Sequence, residues 1–354
     1  MTTSNKGRRW FIFSKRRATP DRPSRPRLAL TISLVAALTL SGCTGEQSMF
    51  DPSGSGARTV DRLWLLMLSL GTAVFLLVLA VLAWAIFRGR RDDESSALSK
   101  QGRMRVVTLG GILLPIVILS VVFSSTLQSL RDVAGIGSPD AVVIDVVGHQ
   151  FWWEVRYPDR DVVTANEIVI PTGEPVEVNL TSNDVIHAFW VPNLHGKIDM
   201  MAGTTTTITM EAEEAGTYRG QCSQFCGVQH ANMAFTVIAV DAQAFDDWID
   251  AQAAPAAVPP EGSLIERGEQ VFLSSVCVYC HTVSGTNASG TLGPDLTHFA
   301  GRETLAAGTL ENNTGNLAAW ILDPQSIKPG NLMPGIAING YDLEALLAYL
   351  ESLK

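Results

Sequence analysis

Two long runs without a charged residue set the first limit on this chain. Leu63 to Phe87 and Val106 to Leu127 are each long enough to cross a bilayer with some tilt. Such runs become helices in lipid, because the backbone there must satisfy its own hydrogen bonds, and Pro115 inside the second run is tolerated. Trp64 and Trp84 sit near the two ends of the first run, where amphipathic aromatics prefer the interface. The connector from Arg88 to Arg105 also carries Arg90, Arg91, Lys100 and Arg103, and this basic excess puts the short loop in the cytoplasm. A hairpin over 60–130 is therefore predicted, with everything after it on the outer side.

The N-terminus gives the same orientation. Residues 1–27 hold nine of the 26 basic residues and one of the 35 acidic ones, and Leu28 to Leu40 is a short apolar run. A basic region, an apolar stretch and small residues at its end describe an export signal. The ending Leu40-Ser41-Gly42-Cys43 resembles a bacterial lipoprotein signal, which implies cleavage of 1–43 and a lipid on Cys43; an uncleaved anchor is the alternative. The remaining chain holds 17 basic and 34 acidic residues, which argues against nucleic acid as a partner and suits a basic protein.

The region 138–250 changes to short β-rich runs. Val142–Val147, Glu167–Ile170, Val176–Leu180 and Thr205–Met210 are strand candidates, several of them separated by turns such as Pro171-Thr172-Gly173. About a hundred residues of this kind predict a Greek-key sandwich or barrel.

Chemistry gathers near the end of that region. Cys222, Cys226, His230 and Met233 fall within one twelve-residue segment, and His187 precedes them. Soft thiolate and thioether ligands with imidazole select copper. One thiolate serves a mononuclear site, whereas two close thiolates can bridge two ions. A Cys222–Cys226 disulfide and a Cys₂His₂ zinc site are the alternatives, and neither uses Met233.

The chain from Leu63 to about Val240 resembles subunit II of the heme-copper oxidases, and this segment its binuclear CuA site. The resemblance implies that Cys222 and Cys226 bridge two coppers and that His187 and His230 terminate one each. Met233 and the backbone carbonyl of Gln224 would be weak ligands. Many members carry Glu at the position of Gln224, where the carboxylate helps hold magnesium; the amide puts magnesium in question here, not copper. Gly148-His149-Gln150-Phe151-Trp152-Trp153 resembles the family's aromatic strip, whose first Trp takes electrons from soluble cytochrome c. Phe151 stands in its place, and Trp152 is the substitute candidate. A covalently attached donor would relax the need for that Trp.

A proline-bearing linker over 251–261 separates a last region, 262–354. There Cys277-Val278-Tyr279-Cys280-His281 is a c-type heme attachment motif, with His281 as one axial ligand. Met333 is the only methionine after His281 and is the preferred sixth ligand; His298 competes. His149 and His195 read as hydrogen-bonded structural residues, His195 in a stretch that resembles the subunit II surface meeting subunit I. Gly262 to Lys354 resembles a small class I cytochrome c, including Leu292-Gly293-Pro294-Asp295-Leu296. The five cysteines all fall within these motifs, so no disulfide framework is expected.

The expected architecture is a multidomain membrane protein: a transmembrane hairpin, a cupredoxin-like Greek-key β-sandwich and an all-α class I cytochrome c domain. The resemblance implies an electron-delivery subunit in a bacterial cell membrane, with copper and heme c as cofactors. Its partners would be membrane lipid, oxidase subunits I and III, and an external donor, either cytochrome c or a quinol-oxidising complex. A CuA-containing nitric oxide reductase and a non-enzymatic copper-binding membrane protein are the rival readings.

Overall fold

The structure, a computed structural model, describes Gly45 and residues 47–89, 99–133 and 141–354. The expected signal segment with Cys43, and much of the basic connector, lie outside the described residues.

Helix α1 (Ser55–Gly89) begins upstream of its apolar run because its first turn is docked on the outer domain. The first N–H groups of a helix lack intrahelical partners. Here the neighbouring amides of Ser53 and Gly54 donate to Asn193 O, and Ala57 N donates to Leu194 O at 3.0 Å. Gly54 permits this approach, since a Cβ there would lie 2.4 Å from Glu211 O. An Arg58–Glu213 ion pair closes the same junction.

The second span runs through α2 (Lys100–Thr108), a wide π-type turn (Leu109–Leu113) and α3 (Leu114–Val133). Pro115 has no N–H to give and its ring crowds the preceding turn, and the wider turn relieves both. Both spans are long and apolar enough to cross a membrane. Phe75, Phe87, Leu119 and Phe123 lie exposed along them, as lipid-facing side chains would.

The outer domain is a sandwich of two five-stranded sheets. One has the order β3 (Val162–Ala165), β2 (Trp152–Tyr157), β1 (Val143–His149), β5 (Val176–Ser182), β8 (Thr206–Met210). The other runs β4 (Glu167–Pro171), β10 (Ala234–Val240), β9 (Gly216–Cys222), β6 (His187–Trp190), β7 (Ile198–Met200). Strict alternation of burial along β1 and β5 marks one face turned to the core and one away from it. Between the sheets Trp153, fully buried, meets Phe235 with ring centroids 4.9 Å apart. The Tyr157 hydroxyl spans the layers, donating to Val169 O at 2.8 Å and accepting from Val169 N at 2.9 Å. Strand β4 is buried at every residue, because it is also covered on its outer side, in part by helix α4 (Ala242–Gln252).

The last region packs helix α5 (Leu264–Ser274) against α8 (Gly340–Ser352), with α6 (Thr314–Leu322) and the short α7 (Pro324–Ile327) beside them. The α5–α8 crossing is close at Gly268, where a Cβ would fall 1.9 Å from Ala345 O. Ser263 caps α5 by accepting from Glu266 N, while the Glu266 carboxylate reaches back to Gly262 N at 2.6 Å, a reciprocal arrangement of capping-box type. The architecture of two apolar helices, a sandwich and a helical domain is the one the sequence leads to.

Candidate metal centre

The metal donors lie at the start of β6 and on the loop from β9 to β10. That loop is closed at its base, where Cys222 N donates to Met233 O at 2.9 Å. Gly148 on β1 makes room for the first imidazole; a Cβ there would come within 2.9 Å of the His187 ring. Cys222 Sγ lies 3.8 Å from Cys226 Sγ and 3.8 Å from His187 Nδ1. Cys226 Sγ lies 3.8 Å from His230 Nδ1 and 3.8 Å from Met233 Sδ. The Gln224 carbonyl is 3.1 Å from Cys222 Sγ. Both cysteines are free thiols, and 3.8 Å is far beyond a disulfide bond of about 2.05 Å.

Charge and hydrogen bonding prepare these donors. Asp184 Oδ1 lies 2.7 Å from His187 Nε2, an acceptor that fixes the ring with Nδ1 directed at Cys222. Burial works against a charged His187 ring, yet the bonds to Cys222 and Asp184 outweigh it and raise its pKa. The two neighbouring sulfurs share one proton between them: the contact with Cys226 pulls the Cys222 pKa down, and the same contact pushes that of Cys226 up. The Gln224 side chain points elsewhere: its Oε1 accepts from Lys197 Nζ at 2.9 Å. The group that would face magnesium thus faces an ammonium.

The donor set suits copper, with two sulfurs, two imidazoles and a thioether. A single tetrahedral ion fits less well. His187, Cys222 and Cys226 offer ligand atoms within 4.8 Å of one another, and His230 falls outside that group although it touches Cys226. The donors form an elongated set with a thiolate pair at its middle.

The second candidate site is a cavity of about 400 Å³ lined by Cys277, Cys280, His281 and Met333. His281 Nδ1 donates to Pro294 O at 2.7 Å, leaving Nε2 free to bind a metal, and burial lowers its pKa so that the ring stays neutral. Gly293 keeps the space beside that ring open; a Cβ would lie 2.7 Å from it. Arg302 also lines the cavity, and its buried Nε has no hydrogen-bond partner among the described residues. An apolar cavity with two thiols, a neutral imidazole, a thioether and an orphaned cationic donor fits an acidic macrocycle such as heme c. His298 lies away from that cavity: its ring nitrogens face Lys354 O, Gln252 O and Ala254 O, each at 3.0 Å.

The wall of this cavity is shared. Phe151 and Trp152, from the sandwich, line it too. Phe151 is 6% exposed, and a Cβ on Gly227 of the copper loop would lie 3.1 Å from its ring. Gln150 Nε2 donates to Cys226 O at 2.5 Å. Trp152 stacks on His149 at 4.4 Å, and His149 in turn bonds Glu154 at 2.9 Å.

Known proteins carry the same two parts. The family model described as cytochrome c oxidase subunit II, periplasmic domain, matches residues 160–240, and the one described as cytochrome c matches 265–354. Cytochrome c oxidase subunit 2 of Alkalihalophilus pseudofirmus is 36% identical over 326 residues, covering 90% of this chain and 94% of that one. This chain belongs to the cytochrome c oxidase subunit 2 family. The Bacillus subtilis subunit 2 is 31% identical over 353 residues, covering 93% of this chain and 98% of that one. A crystal structure of the periplasmic domain of the Bradyrhizobium japonicum subunit II is 30% identical, covers 32% of this chain and 95% of that one, and has a TM-score of 0.31. The chain is thus the electron-transfer subunit II of a cytochrome c oxidase, with a CuA-type donor set and a fused cytochrome c domain. It is a membrane protein whose copper domain is extracytoplasmic.

Several residues that pack against the two candidate sites escape a reading of the sequence. Asp184 stands three residues before His187, and an acid so close to a ligand is the one signal that could have found it. Gln150 and Lys328 carry no such mark, because their partners lie far along the chain.

Proposed function

We propose that this subunit takes electrons from an external donor at its cytochrome domain and hands them through its copper domain to subunit I, which reduces oxygen to water. Cys277, Cys280, His281 and Met333 hold heme c; His187, Cys222, Cys226, His230, Met233 and the Gln224 carbonyl hold two copper ions. When bound, these groups supply reversible one-electron oxidation and reduction. The observation that carries the reading is the wall common to both sites, Gln150-Phe151-Trp152, which lines the heme cavity on one side and contacts Cys226 and Gly227 on the other.

The chain's own residues prepare both ends. Asp184 and Pro294 O fix the imidazoles of His187 and His281 by the same device, an acceptor on the distal nitrogen. Met333 is presented by a tied loop, with Met333 N donating to Asn331 Oδ1 at 2.7 Å. Phe151, nearly fully buried, fills the space between the sites. Because the donor domain is attached, no indole is needed at this position for docking a soluble cytochrome. The acidic surface suits a basic external donor, either a soluble cytochrome c or a quinol-oxidising complex. Membrane lipid, through Cys43, and subunits I and III complete the set of partners.

Electron paramagnetic resonance on the full-length, copper-loaded subunit tests the copper assignment. A hyperfine pattern shared by two copper nuclei is expected; the pattern of one copper nucleus, or none despite bound copper, would overturn it.

A further inference from the structure

We infer that Lys328 is a positioning residue for electron transfer between the cytochrome and copper domains, fixing the wall that their two sites share. The inference rests on the relay proposed above.

Lys328 is 2% exposed, although lysine is a side chain that normally keeps its head in water. Its Nζ donates to Phe151 O at 2.9 Å, in the copper domain, and to Ala306 O at 2.8 Å, in the cytochrome domain. Its backbone reaches the other way: Asn331 Nδ2 donates to Lys328 O at 2.7 Å, and the same Asn331 holds Met333 N. One residue therefore ties the loop of the proposed axial methionine to the peptide that abuts the copper loop. Burying an amine is costly, enough that burial pulls the Lys328 pKa down to about 7, and a methionine would fill the same space without that cost. The cost is tolerable where two carbonyls must be held at a fixed separation.

The surrounding interface is built for a fixed dock. Ala306 and Ala307 both adopt left-handed backbone, φ 52° and 56°, which non-glycine residues keep only where their surroundings demand it. That conformation presents Ala306 O to Lys328, and Ala307 O to Ala234 N at 3.0 Å, at the end of the copper loop. Gln229 Nε2 donates to Pro329 O at 2.7 Å, and Glu303 N to the Glu167 carboxylate at 2.7 Å. The connecting segment is pinned as well, by Ala256 N to Ser284 O at 3.0 Å and by His298.

The test is Lys328→Met in the full-length subunit within the assembled oxidase, with Lys328→Gln, which retains an amide donor, as a gentler second variant. Three readouts are taken: the optical spectrum of the heme with the copper resonance, the heme-to-copper distance distribution from pulsed electron paramagnetic resonance, and the rate of internal transfer after flash reduction of the heme. Both centres should keep their spectra in Lys328→Met, while the distance distribution broadens and transfer slows severalfold, as electron tunnelling does when the gap between donor and acceptor widens. Lys328→Gln should fall between it and the parent. An unchanged distribution and rate in Lys328→Met would overturn the inference. So would loss of either centre's spectrum in Lys328→Gln, which would make Lys328 a folding residue. No internal transfer in the parent oxidase would instead refute the relay itself.

Discussion

The two candidate sites are built on opposite plans. The copper donors come almost wholly from one loop, Cys222 to Met233, with His187 added from the neighbouring strand, and all of them belong to a single domain. The heme cavity takes its ligands from the cytochrome domain but completes its wall with Phe151 and Trp152 of the sandwich. One site is self-contained and the other borrows. The lesson is that the copper domain can form its centre alone, whereas the cytochrome pocket is finished only by docking.

The largest effects should separate the two sites cleanly. Cys226→Ser is expected to abolish the copper resonance and leave the heme spectrum intact. Met333→Ala should keep the heme covalently attached, remove its sixth ligand from the optical spectrum and spare the copper resonance. If either variant eliminated both signals, the two sites would not be independent units and the comparison would fail. Asp184→Ala should lower copper affinity about 10- to 100-fold, the range for an acceptor behind a ligating histidine, and should also free Gln150 N, which Asp184 holds at 2.6 Å. Metal titration of the purified subunit would check this, and an affinity equal to the parent's would show that Asp184 does not orient His187. The smallest effect on either centre belongs to His298→Ala. It should leave both spectra unchanged and cost about 1–3 kcal/mol of stability, since it removes a ring N–H packed among the carbonyls of residues 252, 254 and 354. A changed heme spectrum there would return His298 to the list of ligands.

The same contrast explains what the sequence reveals. The two apolar runs, the Cys222–Met233 cluster and the Cys277–His281 motif are local patterns, and each can be read within a few tens of residues. Burial alternation makes β1 and β5 legible too, and β4 is legible as a strand over Glu167–Ile170, though which face it buries is not, because both sides are covered. The start of α1 at Ser55 is invisible from hydropathy, being set by hydrogen bonds to Asn193 and Leu194. Lys328 bonds a carbonyl 177 residues away, and no periodicity reports a contact of that range. His298 sits near the heme motif in sequence and has the right chemistry for a ligand. Only the fold directs it to the linker and the C-terminus.

The central claim is that electrons cross from the cytochrome domain to the copper domain inside one chain. Flash reduction of the heme in the full-length oxidase, followed at separate wavelengths for heme and copper, tests it most directly. The account predicts that heme reoxidation and copper reduction share one rate, independent of protein concentration. Copper reduced ahead of the heme by the added donor, or heme reoxidation that scales with protein concentration, would contradict it.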